Sequence, residues 1–201
     1  VLPTKDDGAL LEASDFIQHK GSSVNPDRQQ EPHAHSIMIA PNNRYAYAPD
    51  LGMDKIMIYN LDLEKGKLQP NSQPYQSVDP GQGPRHFDFH PNNKFAFVIN
   101  EIGNTIVSYN YNADGGTLEP TGSVPTLPAE FTGTSHTADI HVHPNGKFLY
   151  GSNRGHDSLV ICAIDQNTGQ LNVVGHVPTG GRNPRNFGID PSGSFLLAAN
   201  Q

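Results

Sequence analysis

The 201-residue chain carries 20 Gly and 17 Pro, only 16% charged residues and a formal net charge of −7. That acidic balance excludes a basic footprint for nucleic acid or an anionic membrane surface, and no apolar run approaches the roughly 20 residues that span a bilayer. The single cysteine, Cys162, excludes an intrachain disulfide framework and, inside the apolar run 159–164, reads as a buried inert thiol.

In chain order, residues 8–16 hold the only trace of helical periodicity, about two turns of it, and read as loop or outer-strand material. The Pro- and Gln-rich residues 25–32 read as a connection into the first of four related segments. These are HSIMIAPNNRYAYAPD from His35, RHFDFHPNNKFAFVINE from Arg85, ADIHVHPNGKFLYGSNR from Ala138 and RNFGIDPSGSFLLAANQ from Arg185. Their landmark residues Pro41, Pro91, Pro144 and Pro191 fall 50, 53 and 47 residues apart. In the first unit a strand is expected at 55–61 before the Lys65-Gly66 turn, and residues 70–84 read as a connection between units. The second places a strand at 105–111 before Asp114-Gly115-Gly116. The third alternates over 139–143, turns at Pro144-Asn145-Gly146-Lys147, and continues with strands at 148–152, 158–165 and 171–174.

Four short antiparallel strands in about 50 residues make one blade of a β-propeller. The expected fold class is therefore all-β: about four propeller blades in a single partial domain over 1–201. The units lie near 33–80, 83–130, 136–180 and 183–201, the last incomplete. A blade buries its faces only against neighbours, so an open arc exposes two apolar faces and is expected to self-associate through them.

Aligned units separate scaffold from chemistry. Ten residues after each landmark proline stand Leu51, Glu101, Arg154 and Gln201, and six before stand His35, Arg85, Ala138 and Arg185. Both positions flank one strand pair, so His35, Arg85, Glu101, Arg154 and Arg185 should meet at one mouth of a central channel. Arginine forks suit phosphate and carboxylate, a histidine beside a carboxylate suits general-base catalysis, and an arginine suits an oxyanion. The bland alternative pairs Arg85 and Arg185 with loop carboxylates, and Glu101 with Arg154.

His141 sits inside a strand where other units have Met38, Asp88 and Gly188, and it is expected to line the channel. His90 and His143 precede the landmark prolines and read as turn residues. The pairs His33/His35 and His141/His143 resemble metal half-sites, but no metal or cofactor is expected. Asp50-Leu51-Gly52 with Asp54 reads as a turn rather than a calcium loop, and residues 179–182 lack the helix of a phosphate loop. No Gly-x-Ser-x-Gly elbow supports a serine hydrolase.

RQQEPHAHS at 28–36, DLGMDKIMIYNLD at 50–62, GQGPRHFDFHPN at 81–92, FVINE at 97–101, residues 138–154 and NPRNFGIDPSG at 183–193 together resemble the lactonase seven-bladed β-propeller family. That family includes one type of 6-phosphogluconolactonase and the carboxymuconate-lactonizing enzyme. The resemblance implies that His35 is the active-site histidine, Arg85 and Arg154 the anion-binding arginines and Glu101 the acidic residue. Arg185, His141 and Gln201 are carried as substrate-binding candidates. It also implies about 350 residues for the whole ring. The expected activity is hydrolysis of 6-phospho-glucono-1,5-lactone, with a muconate cycloisomerase or a non-catalytic binding platform as alternatives. A cytoplasmic location suits the lack of disulfides, while the start at Val1 leaves export open.

Overall fold

A computed structural model describes residues 1–201, and it is built of β-strands with one turn of 3₁₀ helix at Leu51–Met53. The first sheet runs β1 (Met38–Ile39), β2 (Tyr45–Asp50), β3 (Lys55–Asp62) and β4 (Lys67–Ser77), each antiparallel to the last. The second contains β5 (Pro84–Phe89), β6 (Phe95–Asn100), β7 (Thr105–Asn112) and β8 (Thr117–Pro125). The third contains β9 (His136–Val142), β10 (Phe148–Arg154), β11 (Ser158–Ile164) and β12 (Leu171–Pro178), and β13 (Pro184–Ile189) with β14 (Leu196–Asn200) forms a two-stranded fourth. These are three blades and the inner half of another, as the repeat requires. The innermost strands of successive sheets face one another, β5 packing against β9 and β9 against β13, and β5 also packs against β2, the second strand of the first sheet.

The repeat is visible in backbone conformation. Asn43, Asn93, Gly146 and Gly193, each two residues after a landmark proline, have φ of 56°, 58°, 71° and 73°. Gly, and among the other residues Asn and Asp, adopt that left-handed conformation most readily, and this position holds Asn in two units and Gly in two. The residue between, Asn42, Asn92, Asn145 or Ser192, accepts from the backbone N–H two positions on and closes the turn. Asp54, Asn104 and Asp157 repeat the left-handed conformation between the second and third strands of each blade.

Neighbouring blades are stapled at these turns. His90 Nε2 donates to the Gly146 carbonyl at 2.7 Å and His143 Nε2 to that of Gly193 at 2.9 Å, while their Nδ1 atoms accept from Asn92 and Asn145. Both are turn residues, and both ring nitrogens are committed. Between the first two sheets Tyr47, Ile56, Ile58, Phe87, Val98 and Tyr109 form one core. Between the second and third, Phe97, Ile99, Ile106, Ile140, Leu149 and Val160 form another. Strand β6 is buried on both faces, which is why FAFVI is apolar throughout rather than alternating. Cys162 lies in the second core with its thiol pushed up to about 12 by burial.

One local reading needs adjustment, and residues 8–16 are the loop that is one of the two expectations for them. Residues 70–77, read as a connection, belong to β4; this outermost strand tolerates Pro70 and Pro74 because edge N–H groups facing solvent need no partner. Residues 8–16 form neither helix nor sheet strand but a loop closed by the Thr4–Leu10 bridge and tied to the first sheet, Ser14 to the Gly66 carbonyl and Asp15 to the Leu68 N–H. Ile37 and Ile39 are exposed at one end of the arc, and Phe195 and Leu197 at the other. Beside the last sheet Tyr150, Leu159, Ile161, Val177 and Leu196 line an apolar groove of about 360 Å³. No helix is long and apolar enough to cross a membrane.

Candidate active site

The site is built by a backbone device repeated in three inner strands. Register shifts fall between Pro84 and His86 in β5, opposite Ser152 in β9, and between Pro184 and Asn186 in β13. Each is a bulge, which adds one residue to a strand and re-aims side chains locally. The residues standing at these shifts are Arg85, Ala138 with Asp139, and Arg185. Glu101 follows β6 directly and Arg154 ends β10, so both leave the sheet at the same mouth.

Glu101 is the centre. Its side chain is 4% exposed; Oε2 accepts from Arg85 Nε at 2.8 Å and forms an ion pair with Arg154 Nη2 at 2.9 Å, while Oε1 accepts from Arg28 Nη2 at 2.6 Å. His35 Nε2 stands 4.0 Å from Oε2. Four of the residues expected to meet thus do so. Arg85 also donates Nη1 to the Ala138 carbonyl at 2.6 Å and faces His86 Nε2 at 2.9 Å, and Arg154 Nη2 donates to the Thr137 carbonyl at 2.8 Å. Arg154 Nε is buried without a partner. Arg185 is exposed and makes no side-chain hydrogen bond, but its charge is felt at His35, Arg85 and Arg154, where burial is the larger influence.

These neighbours set the protonation states. Burial alone would raise the Glu101 carboxyl, yet the Arg28 hydrogen bond and the charges of Arg154 and Arg85 outweigh it and hold the group at about 2. Burial, then the Arg85 charge, push the His35 imidazole down to about 4, with Glu101 opposing and His86 and Arg185 adding to the fall. His35 is therefore neutral at pH 7 and able to accept a proton, while Glu101 is ionised and saturated with donors.

A second carboxylate is joined to this cluster through His86. Asp139, 3% exposed, accepts from His86 Nδ1 at 2.7 Å, His141 Nε2 at 3.2 Å, Asn186 Nδ2 at 2.6 Å and the backbone N–H groups of Ile140 and Phe187. Burial opposes ionisation, but the His141 and His86 hydrogen bonds hold its pKa well below the carboxylate range. His141, raised by Asp139 against the effect of burial, stands edge-on to Phe187. Gln201 stands apart: its backbone N–H donates to the Arg182 carbonyl, and its side chain makes no hydrogen bond.

Arg28, His86, Asp139 and Asn186 were not singled out by unit alignment. Arg28 precedes the first unit and so lies outside the frame, although it opens the RQQEPHAHS stretch. His86 and Asp139 each follow an aligned position by one residue, and only a bulge brings two successive side chains to one side.

A family profile described as "Lactonase, 7-bladed beta-propeller" matches residues 1–201. A curated protein named 6-phosphogluconolactonase from Bacillus subtilis is 37% identical over 201 residues, covering 100% of this chain and 56% of the relative. A second of that name, from Formosa agariphila, is 38% identical over 203 residues, covering 96% and 55%. The solved structure of a periplasmic gluconolactonase from Pseudomonas aeruginosa superposes with a TM-score of 0.93 at 34% identity, covering 100% of this chain and 55% of that one. The chain spans about half the length of the curated relatives it matches.

Proposed function

The chain belongs to the seven-bladed β-propeller lactonase family, and from that membership we propose that the protein hydrolyses a phosphorylated sugar lactone, 6-phospho-glucono-1,5-lactone, to the open acid. The observation that carries this reading is the charge of the site. Arg28, Arg85 and Arg154 hold one carboxylate, Glu101, and the charge of Arg185 reaches the neighbouring His35, in a chain whose net charge is −7. Counted against Glu101 alone, with Asp139 paired to its own histidines, that leaves an excess of three positive charges. A phosphate monoester brings close to two negative charges at pH 7, and the tetrahedral oxyanion of lactone opening brings the third.

In the mechanism, neutral His35 takes a proton from water as its oxygen attacks the lactone carbonyl. Arg85 and Arg154 stabilise the oxyanion, and the protonated His35 returns its proton to the ring oxygen as the C–O bond breaks. Glu101, occupied by three arginines, orients them rather than acting as the base. Relatives carry the names 6-phosphogluconolactonase and gluconolactonase; the arginine excess favours the phosphorylated substrate. Residues 1–201 make one partial domain of the ring in this reading, self-association through the exposed blade faces accompanies them when expressed alone, and the location is cytoplasmic.

The test is hydrolysis of 6-phosphogluconolactone by protein containing the complete propeller, with spontaneous opening subtracted. Arg85→Ala and His35→Ala should each lose about a hundredfold or more in rate, the range for removing an oxyanion donor or general base. Wild-type turnover no faster than background overturns the assignment.

A further inference from the structure

We propose that Arg28 is the residue that selects the phosphate of the lactone, and that it does so by exchange, its guanidinium leaving Glu101 Oε1 for the incoming anion. The proposal rests on the lactonase reading and assigns within it a role to a residue outside the repeat.

Donor accounting separates the arginines. Arg85, with 4% of its side chain exposed, spends donors on Glu101, on the Ala138 carbonyl and toward His86; Arg154, 14% exposed, spends Nη2 on Glu101 and the Thr137 carbonyl. Moving either would orphan a buried carbonyl as well as the carboxylate. Arg28 makes one side-chain contact, to Oε1, and is 40% exposed. A guanidinium has five N–H donors, so most of this one's capacity is unspent.

The backbone beneath it is fixed. Asn25 Oδ1 accepts from the N–H groups of Asp27 and Arg28, and the Gln29 side chain, fully buried, accepts from the Asn25 N–H and donates to the Leu51 carbonyl. Only the Arg28 side chain is therefore at liberty, presented from a rigid turn. Its departure leaves Glu101 held at Oε2 by Arg85 and Arg154, so the carboxylate stays paired, and Oε1 becomes available to a substrate hydroxyl. Exposed Arg185 supplies a second cation without a competing partner.

The experiment compares wild type, Arg28→Ala and Arg28→Lys, in protein containing the complete propeller, on 6-phosphoglucono-1,5-lactone and on unphosphorylated glucono-1,5-lactone. The expected result for Arg28→Ala is a KM for the phosphorylated lactone raised about 30-fold or more, at least about tenfold more than the KM for glucono-1,5-lactone, with any fall in kcat shared by the two lactones. Arg28→Lys should recover part of the loss, since a point charge replaces a fork. Equal losses on both lactones, or an unchanged KM ratio, overturn the proposal. If wild type opens neither lactone the lactonase reading falls by itself, and titration of inorganic phosphate decides the Arg28 role. Affinity weakened tenfold in Arg28→Ala supports exchange, and equal affinity refutes it.

Discussion

Glu101→Gln tests the electrostatic account of the site most directly. The substitution keeps size and shape but removes the one negative charge that Arg28, Arg85 and Arg154 share, and two of those arginines are 4% and 14% exposed. Breaking a buried ion pair from one side costs about 3–5 kcal/mol, because the remaining charge is left uncompensated. A second route agrees: a carboxyl held at about 2 instead of 4.5 carries about 3 kcal/mol of folding stability at neutral pH. The folded-state pKa is depressed, so this stability is fully present above pH 4.5 and is lost as pH falls toward 2. Urea unfolding at pH 7 should therefore show Glu101→Gln destabilised by about 3 kcal/mol, and the gap to wild type should close near pH 2. The orphaned arginines should also recruit an anion. Inorganic phosphate at about ten times its dissociation constant would return about 1.4 kcal/mol to the variant. A loss below about 1 kcal/mol at pH 7, the range of exposed pairs, would show that water solvates these arginines and that the cluster is not electrostatically strained.

Three further outcomes follow from other parts of the structure. With His35 as the base and its imidazole at about 4, kcat/KM should stay level down to about pH 4 and then fall; the limb for kcat should lie higher, because bound anion offsets the charges of Arg85 and Arg185. A kcat/KM limb at the ordinary histidine value would remove His35 from that role. Gly146→Ala should cost about 2 kcal/mol in urea unfolding, since φ is +71° and a Cβ would lie 2.8 Å from the His90 ring, whereas Gly122→Ala, with nothing within 4 Å, should change little. Asp139→Asn should lower the His141 pKa, followed by NMR titration of its ring, because Asp139 is what raises it against burial; an unchanged titration would mean the 3.2 Å contact contributes nothing.

Much of this was legible because turns and buried faces constrain residue type. Positions with φ near +60° favour Asn, Asp or Gly, and a strand buried on both sides demands continuous apolar residues, so the strands expected at 105–111 and 148–152 fall within β7 and β10. Strand β4 was obscured because an edge strand is free to hold prolines, which remove the usual signal. Arg28 was hidden for a different reason. Its place is set by Asn25 and Gln29 side chains capping a turn outside the repeat, and no periodicity passes through that turn.

The bulges explain why a scaffold repeated for packing can carry a site that is not repeated. The extra residue in β5 and in β13 is an arginine, but the corresponding place in β9 is Ala138, fully buried, with Asp139 beside it. Arg85 reaches the Ala138 carbonyl at 2.6 Å. A long cationic side chain at 138 would compete for that same space and add a further positive charge to a cluster already in excess. Asp139 instead supplies the carboxylate that fixes His86, and His86 in turn faces Arg85 Nη1 at 2.9 Å. With Nδ1–H given to Asp139, the His86 Nε2 lone pair is left to accept from Arg85, so both ring nitrogens are committed and the orientation of the ring is fixed. One conformation, placed in three successive blades, thus yields an arginine held on Glu101, the acidic support that holds its neighbour in register, and a second arginine at the exposed flank.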